Sequence, residues 1–192
     1  MKRVIFFIYV CFLVLNWGKA WSLIEVDITR GNLNPLPLAV SPLSVDQNSK
    51  EKFKDLLKLE DIGVEISKVV ENNLRQSGLF NPLDPKAFLQ KPDIAHVKPR
   101  FEDWALIKAQ ALITGEVKIV GEKLRVEFRL WDVLAGKEIM ALAFTTVSEN
   151  WRRVGHIITD KVYQRLTGEK GYFDTRIIYV AEEGLKTNRI KK

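Results

Sequence analysis

Residues 111–147 read ALITGEVKIVGEKLRVEFRLWDVLAGKEIMALAFTTV. Leu124, Val126, Phe128 and Leu130 alternate with Arg125, Glu127 and Arg129. That two-residue period belongs to a strand with one face buried and the other in water. Residues 111–120 form a strand ahead of it, joined through the turn Gly121-Glu122-Lys123. Ala135-Gly136-Lys137 closes a second hairpin onto a third strand over residues 139–147. The product is an antiparallel meander with one apolar face, which is stable only when another element covers it.

Two helices on either side in the sequence supply that cover. Trp151, Val154, Ile158, Val162 and Leu166 recur at steps of three and four, so they share one helix face. Asn150 stands at the capping position, and Gly168 where helices end in a left-handed residue. Asp61 opens the other helix, with Ile62, Ile66, Val69, Val70 and Leu74 inward and Glu65, Lys68, Glu71 and Arg75 outward. Glu71 and Arg75 have the spacing of an ion pair, and Ser77-Gly78 ends the helix.

The rest of the chain adds smaller pieces. Residues 35–42, PLPLAVSP, place Leu36, Leu38 and Val40 at alternate positions and predict a core strand. Residues 44–59 read as a surface loop with a helical turn near its end, with Lys50, Lys52, Lys54 and Lys58 in solvent. Residues 81–85, NPLDP, turn the chain, and 88–100, interrupted by Pro92 and Pro99, read as a connecting loop. Residues 101–108 suit a short helix with Phe101, Trp104, Leu106 and Ile107 inward. The expected fold class is α/β, a two-layer sandwich over residues 21–170, its mixed sheet of about five strands covered by two main helices.

The two ends read differently. Met1-Lys2-Arg3 precedes an uncharged apolar run over residues 4–15, and Gly18 and Ala20 offer small side chains for cleavage. This is the anatomy of a secretory signal over residues 1–20, cut between Ala20 and Trp21, with Ser22 as the fallback. A membrane anchor is the rival reading, but the run is short of the ~20 residues a spanning helix needs. Export points to a bacterial periplasm, since Cys11 is the single cysteine of the 192 residues and leaves with the signal. The chain's net charge of +6 falls to +3 without Lys2, Arg3 and Lys19, too little to argue for nucleic acid. Residues 23–29, LIEVDIT, are an edge strand of the sheet or a detachable segment that adds to a partner's sheet. After Gly171, residues 176–180 form an apolar β-branched run suited to a buried strand, and residues 171–192 read as a linker and the start of a further domain cut short.

Catalytic options are few. His156 has Asp160 four residues on, an ordinary exposed helix pair without a third ligand at recognisable spacing; His96 lies in the proline-bounded loop. Glu116, Glu122 and Glu127 are surface strand carboxylates rather than a glycosidase pair. No nucleophile elbow, phosphate loop or dinucleotide fingerprint occurs. The expectation is a protein that is not an enzyme and takes no cofactor, metal, nucleic acid or small-molecule substrate. A carbohydrate-binding accessory domain, stacking sugars on Trp104, Trp131 and Trp151, is one alternative, although the periodicities turn these residues inward. A membrane-tethered envelope scaffold is another.

Three long stretches carry a resemblance: residues 72–90 (NNLRQSGLFNPLDPKAFLQ), 104–117 (WALIKAQALITGEV) ahead of FRLWDVLAGKEI, and 165–182 (RLTGEKGYFDTRIIYVAE). The chain resembles the TolB family of the periplasmic Tol–Pal envelope system from about residue 23 onward, except for a longer, more lysine-rich stretch over 44–59. The resemblance implies an α/β domain followed by a six-bladed β-propeller that binds the lipoprotein Pal; here the propeller would be missing beyond its first blade. It also implies an extreme N-terminus that contacts TolA, an inner-membrane protein, and that is docked or free according to Pal occupancy. The residues matching that segment are Glu25, Val26, Asp27, Ile28, Thr29, Arg30 and Gly31. The implied role is support of outer-membrane integrity and invagination during division.

Overall fold

The computed structural model describes residues 34–58 and 61–176, together with 178, 180, 182–183 and 190–191. The expected signal and its cleavage position, and the strand expected over 23–29, lie outside the described residues.

The meander is present as β4 (Ala111–Val120), β5 (Lys123–Asp132) and β6 (Lys137–Thr146), paired antiparallel. Two parallel strands extend it, β1 (Leu36–Val40) beside β4 and β3 (Phe80–Pro82) beside β1. The order is β3-β1-β4-β5-β6, and a two-residue strand β2 (Ser44–Val45) also pairs with β4. Sequence periodicity missed β3 because a three-residue strand containing proline has no visible alternation; at a sheet edge the missing N–H costs nothing.

Helices α2 (Ile62–Gln76) and α5 (Trp151–Thr167) cover one sheet face, as the spacing requires. Asp61 caps α2 by accepting from the Val64 N–H, and Glu71 pairs with Arg75. The helices run in the same sense: Gly155 lies against Val69 and Thr159 against Asn73. Leu38, Ile66, Leu74, Ile113, Phe128, Leu130, Ile158 and Leu166 close the core between the layers. Gly168 ends α5 at φ 79°. Asn150 stands at the N-cap of α5, but its side chain makes no capping bond: its amide donates to Thr146 Oγ1, and a 3-10 turn over Ser148–Asn150 leads into the helix.

Two regions expected as loops contain helices. Within 44–59, α1 (Lys50–Leu57) runs for two turns. Phe53, 2% exposed, is its one fully buried apolar anchor, so the lysines hide the period while staying in solvent. Within 88–100, α3 (Pro92–Val97) begins at Pro92, where proline starts a helix instead of breaking it. The next helix, α4 (Phe101–Leu106), buries Trp104 as expected, but Leu106 points out at 75% exposure because six residues make too few turns to seat both. Together α3 and α4 cover one end of the opposite sheet face. There Ala39, Leu112, Ala95, Trp104 and Val133 form a second, smaller core beyond the two expected layers.

Residues 176, 178 and 180 are not in a strand, and Ile178 is 95% exposed. An apolar run becomes a strand only where a neighbour takes its hydrogen bonds. Among the described residues the pairing in this region is instead between β7 (Glu182–Glu183) and β8 (Ile190–Lys191).

Candidate functional site

The segment Glu25, Val26, Asp27, Ile28, Thr29, Arg30 and Gly31, like Ala20 and Trp21, lies outside the described residues. The structure fixes where such a segment joins the domain. Leu36 donates to the Leu79 carbonyl at 2.9 Å and opens β1, an interior strand paired on both sides. Pro35 and Asn34, both exposed, precede it.

The sheet face opposite the two main helices carries a charged network. Lys118 and Arg125 each reach Glu127 Oε1 at 2.8 Å, and Lys118 also lies 3.7 Å from Glu116. Arg129 lies 3.4 Å from Glu138 and donates to the His96 carbonyl. His96 projects from the last turn of α3, its Nε2 3.9 Å from Glu116. Three cations face three carboxylates, so the face has no surplus field for an anionic ligand. The Glu127 carboxyl is pulled down to about 2, first by the Lys118 hydrogen bond and then by that of Arg125. A carboxylate held that firmly cannot donate a proton at neutral pH. Burial lowers the pKa of His96 against the pull of Glu116, which keeps the ring neutral at pH 7.

Both shifts act in one direction. An unfolded chain takes up protons at His96 below about 6.5 and at Glu127 below about 4.5, while the folded domain resists. Stability is therefore expected to fall as pH drops below 6.5, and further as it drops from 4.5 toward 2. In urea titrations across pH, His96→Gln is expected to flatten the first decline and Glu127→Gln the second. Unchanged profiles in both variants would contradict this.

A second arrangement lies where the chain leaves α5. The Asp160 carboxylate accepts from the Phe173 N–H at 2.7 Å and the Asp174 N–H at 3.1 Å. Arg153 grips Asp174 through Nε and Nη2, both at 3.0 Å, and holds its carboxyl below the usual range. Tyr172 and Phe173 stack on each other and meet Tyr163 edge-on. Gly171 is required here by contact rather than by torsional freedom: a Cβ would come within 2.3 Å of the Asp160 carboxylate. Asp160→Ala is expected to speed hydrogen exchange at the Phe173 and Asp174 amides by at least tenfold, about 1.4 kcal/mol of local opening, leaving α2 protected. Equal exchange in both proteins would show that the carboxylate does not hold this segment.

His156 and Asp160 do not act as a pair. His156 Nδ1 meets Asn73 Nδ2 at 2.8 Å, bridging the two main helices, while Asp160 serves the segment after α5. Among the described residues no three His, Cys, Asp or Glu side chains converge as metal ligands. A cavity of about 510 Å³ lies between α1, β2 and the start of α2. Phe53, Ile62 and Val64 line it together with Lys50, Lys54, Asp61 and Asp93, and the Ser44 hydroxyl at its wall donates to the Gly115 carbonyl. The three candidate tryptophans have partners within the domain: Trp104 is 1% exposed and donates to Gln90, and half-buried Trp131 donates to Thr114. Half-buried Trp151 lies under the Arg152 guanidinium. No helix among the described residues is long and apolar enough to cross a membrane.

Comparison with known proteins agrees with this picture. Residues 24–139 match the family described as the TolB amino-terminal domain. The Tol-Pal system protein TolB of Pelagibacter ubique (strain HTCC1062) is 77% identical over 186 residues, which is 97% of this chain. The chain spans 42% of the length of that relative. The crystal structure of TolB from Acinetobacter baumannii superposes with a TM-score of 0.59 at 23% identity, covering 82% of this chain and 35% of that one. At that identity the superposition speaks for the fold alone.

Proposed function

The chain belongs to the TolB amino-terminal domain family, and from that premise we propose that it is a non-catalytic, periplasmic component of a Tol–Pal system. It works by lending its N-terminal segment, Glu25 to Gly31, to the sheet of a TolA-like inner-membrane protein. The observation that carries this is the 77% identity to a Tol-Pal TolB across nearly the whole chain. The match to the domain family starts at residue 24, so the segment falls within it. Its alternation suits strand addition, in which backbone hydrogen bonds give affinity and every second side chain gives specificity. Residues 1–20 act as the export signal, 21–170 as the domain, and 171–192 as the linker toward a propeller. A Pal-like lipoprotein binds only through that propeller. The role served is outer-membrane integrity and invagination during division.

Titration calorimetry against the C-terminal domain of TolA from the same cell tests this reading. Deleting residues 25–31 is expected to weaken binding at least a hundredfold, about 2.7 kcal/mol, without changing the unfolding midpoint. Unchanged affinity would remove the segment from the mechanism.

A further inference from the structure

We propose that α3 is an acid-released strap: protonation of His96 lifts the helix from the sheet while the domain beneath it stays folded. The helix packs against β4 and β2 but is held by little. Ala95 is its one fully buried side chain, and Ile94 and Val97 are mostly exposed. Beyond Ala95, the His96 ring lies against the charged sheet face, its side chain 12% exposed, and Arg129 donates to the His96 carbonyl at 3.1 Å.

A neutral imidazole donates from one nitrogen, whereas an imidazolium donates from both and needs two acceptors. At His96 the second acceptor is missing. Nε2 has Glu116 Oε2 at 3.9 Å, and Nδ1 is buried without a hydrogen-bond partner among the described residues. The charged groups that act on the ring are Glu116 and Lys118 of β4 and Glu127 and Arg129 of β5. Glu127 already answers Lys118 and Arg125, which leaves Glu116, among the described residues, to meet an added cation. β2 contributes no titratable group, and Asp93, a turn back on α3, lies at the cavity wall. Burial outweighs the pull of Glu116, so the docked helix prefers the neutral ring.

The strap can open by itself because its two ends are pinned to each other. Gln90, itself buried, donates through Nε2 to the Lys98 carbonyl, and its Oε1 accepts from the Arg100 N–H and from Trp104 Nε1. Residues 91–97 are thus a loop closed at its base, able to leave and return without disturbing the chain on either side. Ala95 belongs to the smaller core with Ala39, Leu112, Trp104 and Val133, while Pro92 and Asp93 form part of the wall of the cavity beside α1. Acid therefore bares an apolar face and widens the cavity in one motion.

Amide hydrogen exchange of the full chain, corrected for intrinsic rates, reads the opening directly. The Ala95 and Lys98 amides donate to the Lys91 and Ile94 carbonyls. Both are expected to lose protection about fivefold or more between about pH 7.5 and about pH 5.0, since opening takes up one proton. At both pH values they are expected to exchange at least about tenfold faster than amides within α2, as a local opening requires. His96→Gln, which has no imidazole to protonate, is expected to remove most of the pH-driven loss. Glu116→Gln, without the carboxylate that steadies the cation, is expected to enlarge it; circular dichroism checks that each variant is folded. Protection in α3 that does not change with pH overturns the proposal. So does a loss undiminished in His96→Gln, a smaller loss in Glu116→Gln, or exchange in α3 no faster than in α2.

Discussion

Replacing Phe128 with alanine is expected to remove about 3–5 kcal/mol of stability, enough to bring a typical domain close to unfolding. Phe128 is 1% exposed at the centre of β5, and its ring stacks on that of Phe144 with centroids 6.1 Å apart. Helix α5 closes over this part of the sheet, so the void left by alanine cannot collapse without separating helix from strand. Phe128→Leu keeps most of the volume and is expected to cost less than about 1.5 kcal/mol. Urea midpoints at pH 7.5 read both. A loss below about 1 kcal/mol for alanine would mean that the core lies elsewhere.

Gly63→Ala is the second large effect, and there two principles oppose each other. Alanine is favoured over glycine by up to about 1 kcal/mol within a helix, so propensity alone expects some gain even at Gly63, in the first turn of α2. The structure expects the reverse. A Cβ on Gly63 would stand 1.9 Å from the Leu43 carbonyl oxygen, a backbone atom that no rotamer change can move aside. The 41–45 segment is also tied to the same helix: Leu43 N–H donates to Ser67 Oγ, which lies within hydrogen-bond reach of the Ser41 carbonyl. Contact wins over propensity, and a net loss of about 2 kcal/mol or more is expected by thermal or urea unfolding. Asn72→Ala, on the exposed side of the same helix, is the control and is expected to stay within about 0.5 kcal/mol of wild type. A stabilised Gly63→Ala would show that α2 sits farther from the strand.

What the amino-acid sequence disclosed followed the strength of its periodicities. Leu124 to Leu130 alternate without a fault, and Ile62 to Leu74 keep a helical step for three turns, so the meander and the main helices were legible. Helix α1 was legible only as a helical turn near the end of 44–59, because Phe53 is its one fully buried anchor and a single buried residue has no period. Pro92 read as a breaker although it begins α3, since the residue type does not state which side of it the helix lies on. The segment 25–31 was singled out by resemblance alone; its composition favoured an ordinary edge strand. The Asp160 arrangement had no sequence signal. Gly171 marked only the point after which the chain leaves the domain, and the fold shows that it is small because Asp160 lies against it.

Backbone hydrogen exchange of the chain with and without the TolA C-terminal domain tests the central claim most directly. Strand addition buries every other N–H of the added segment in a ladder. Alternate amides across residues 25–31 are therefore expected to gain protection on binding, while those of α2 and α5 stay as they were. Binding without any gain of protection in 25–31, or with protection confined to the sandwich, would contradict the account.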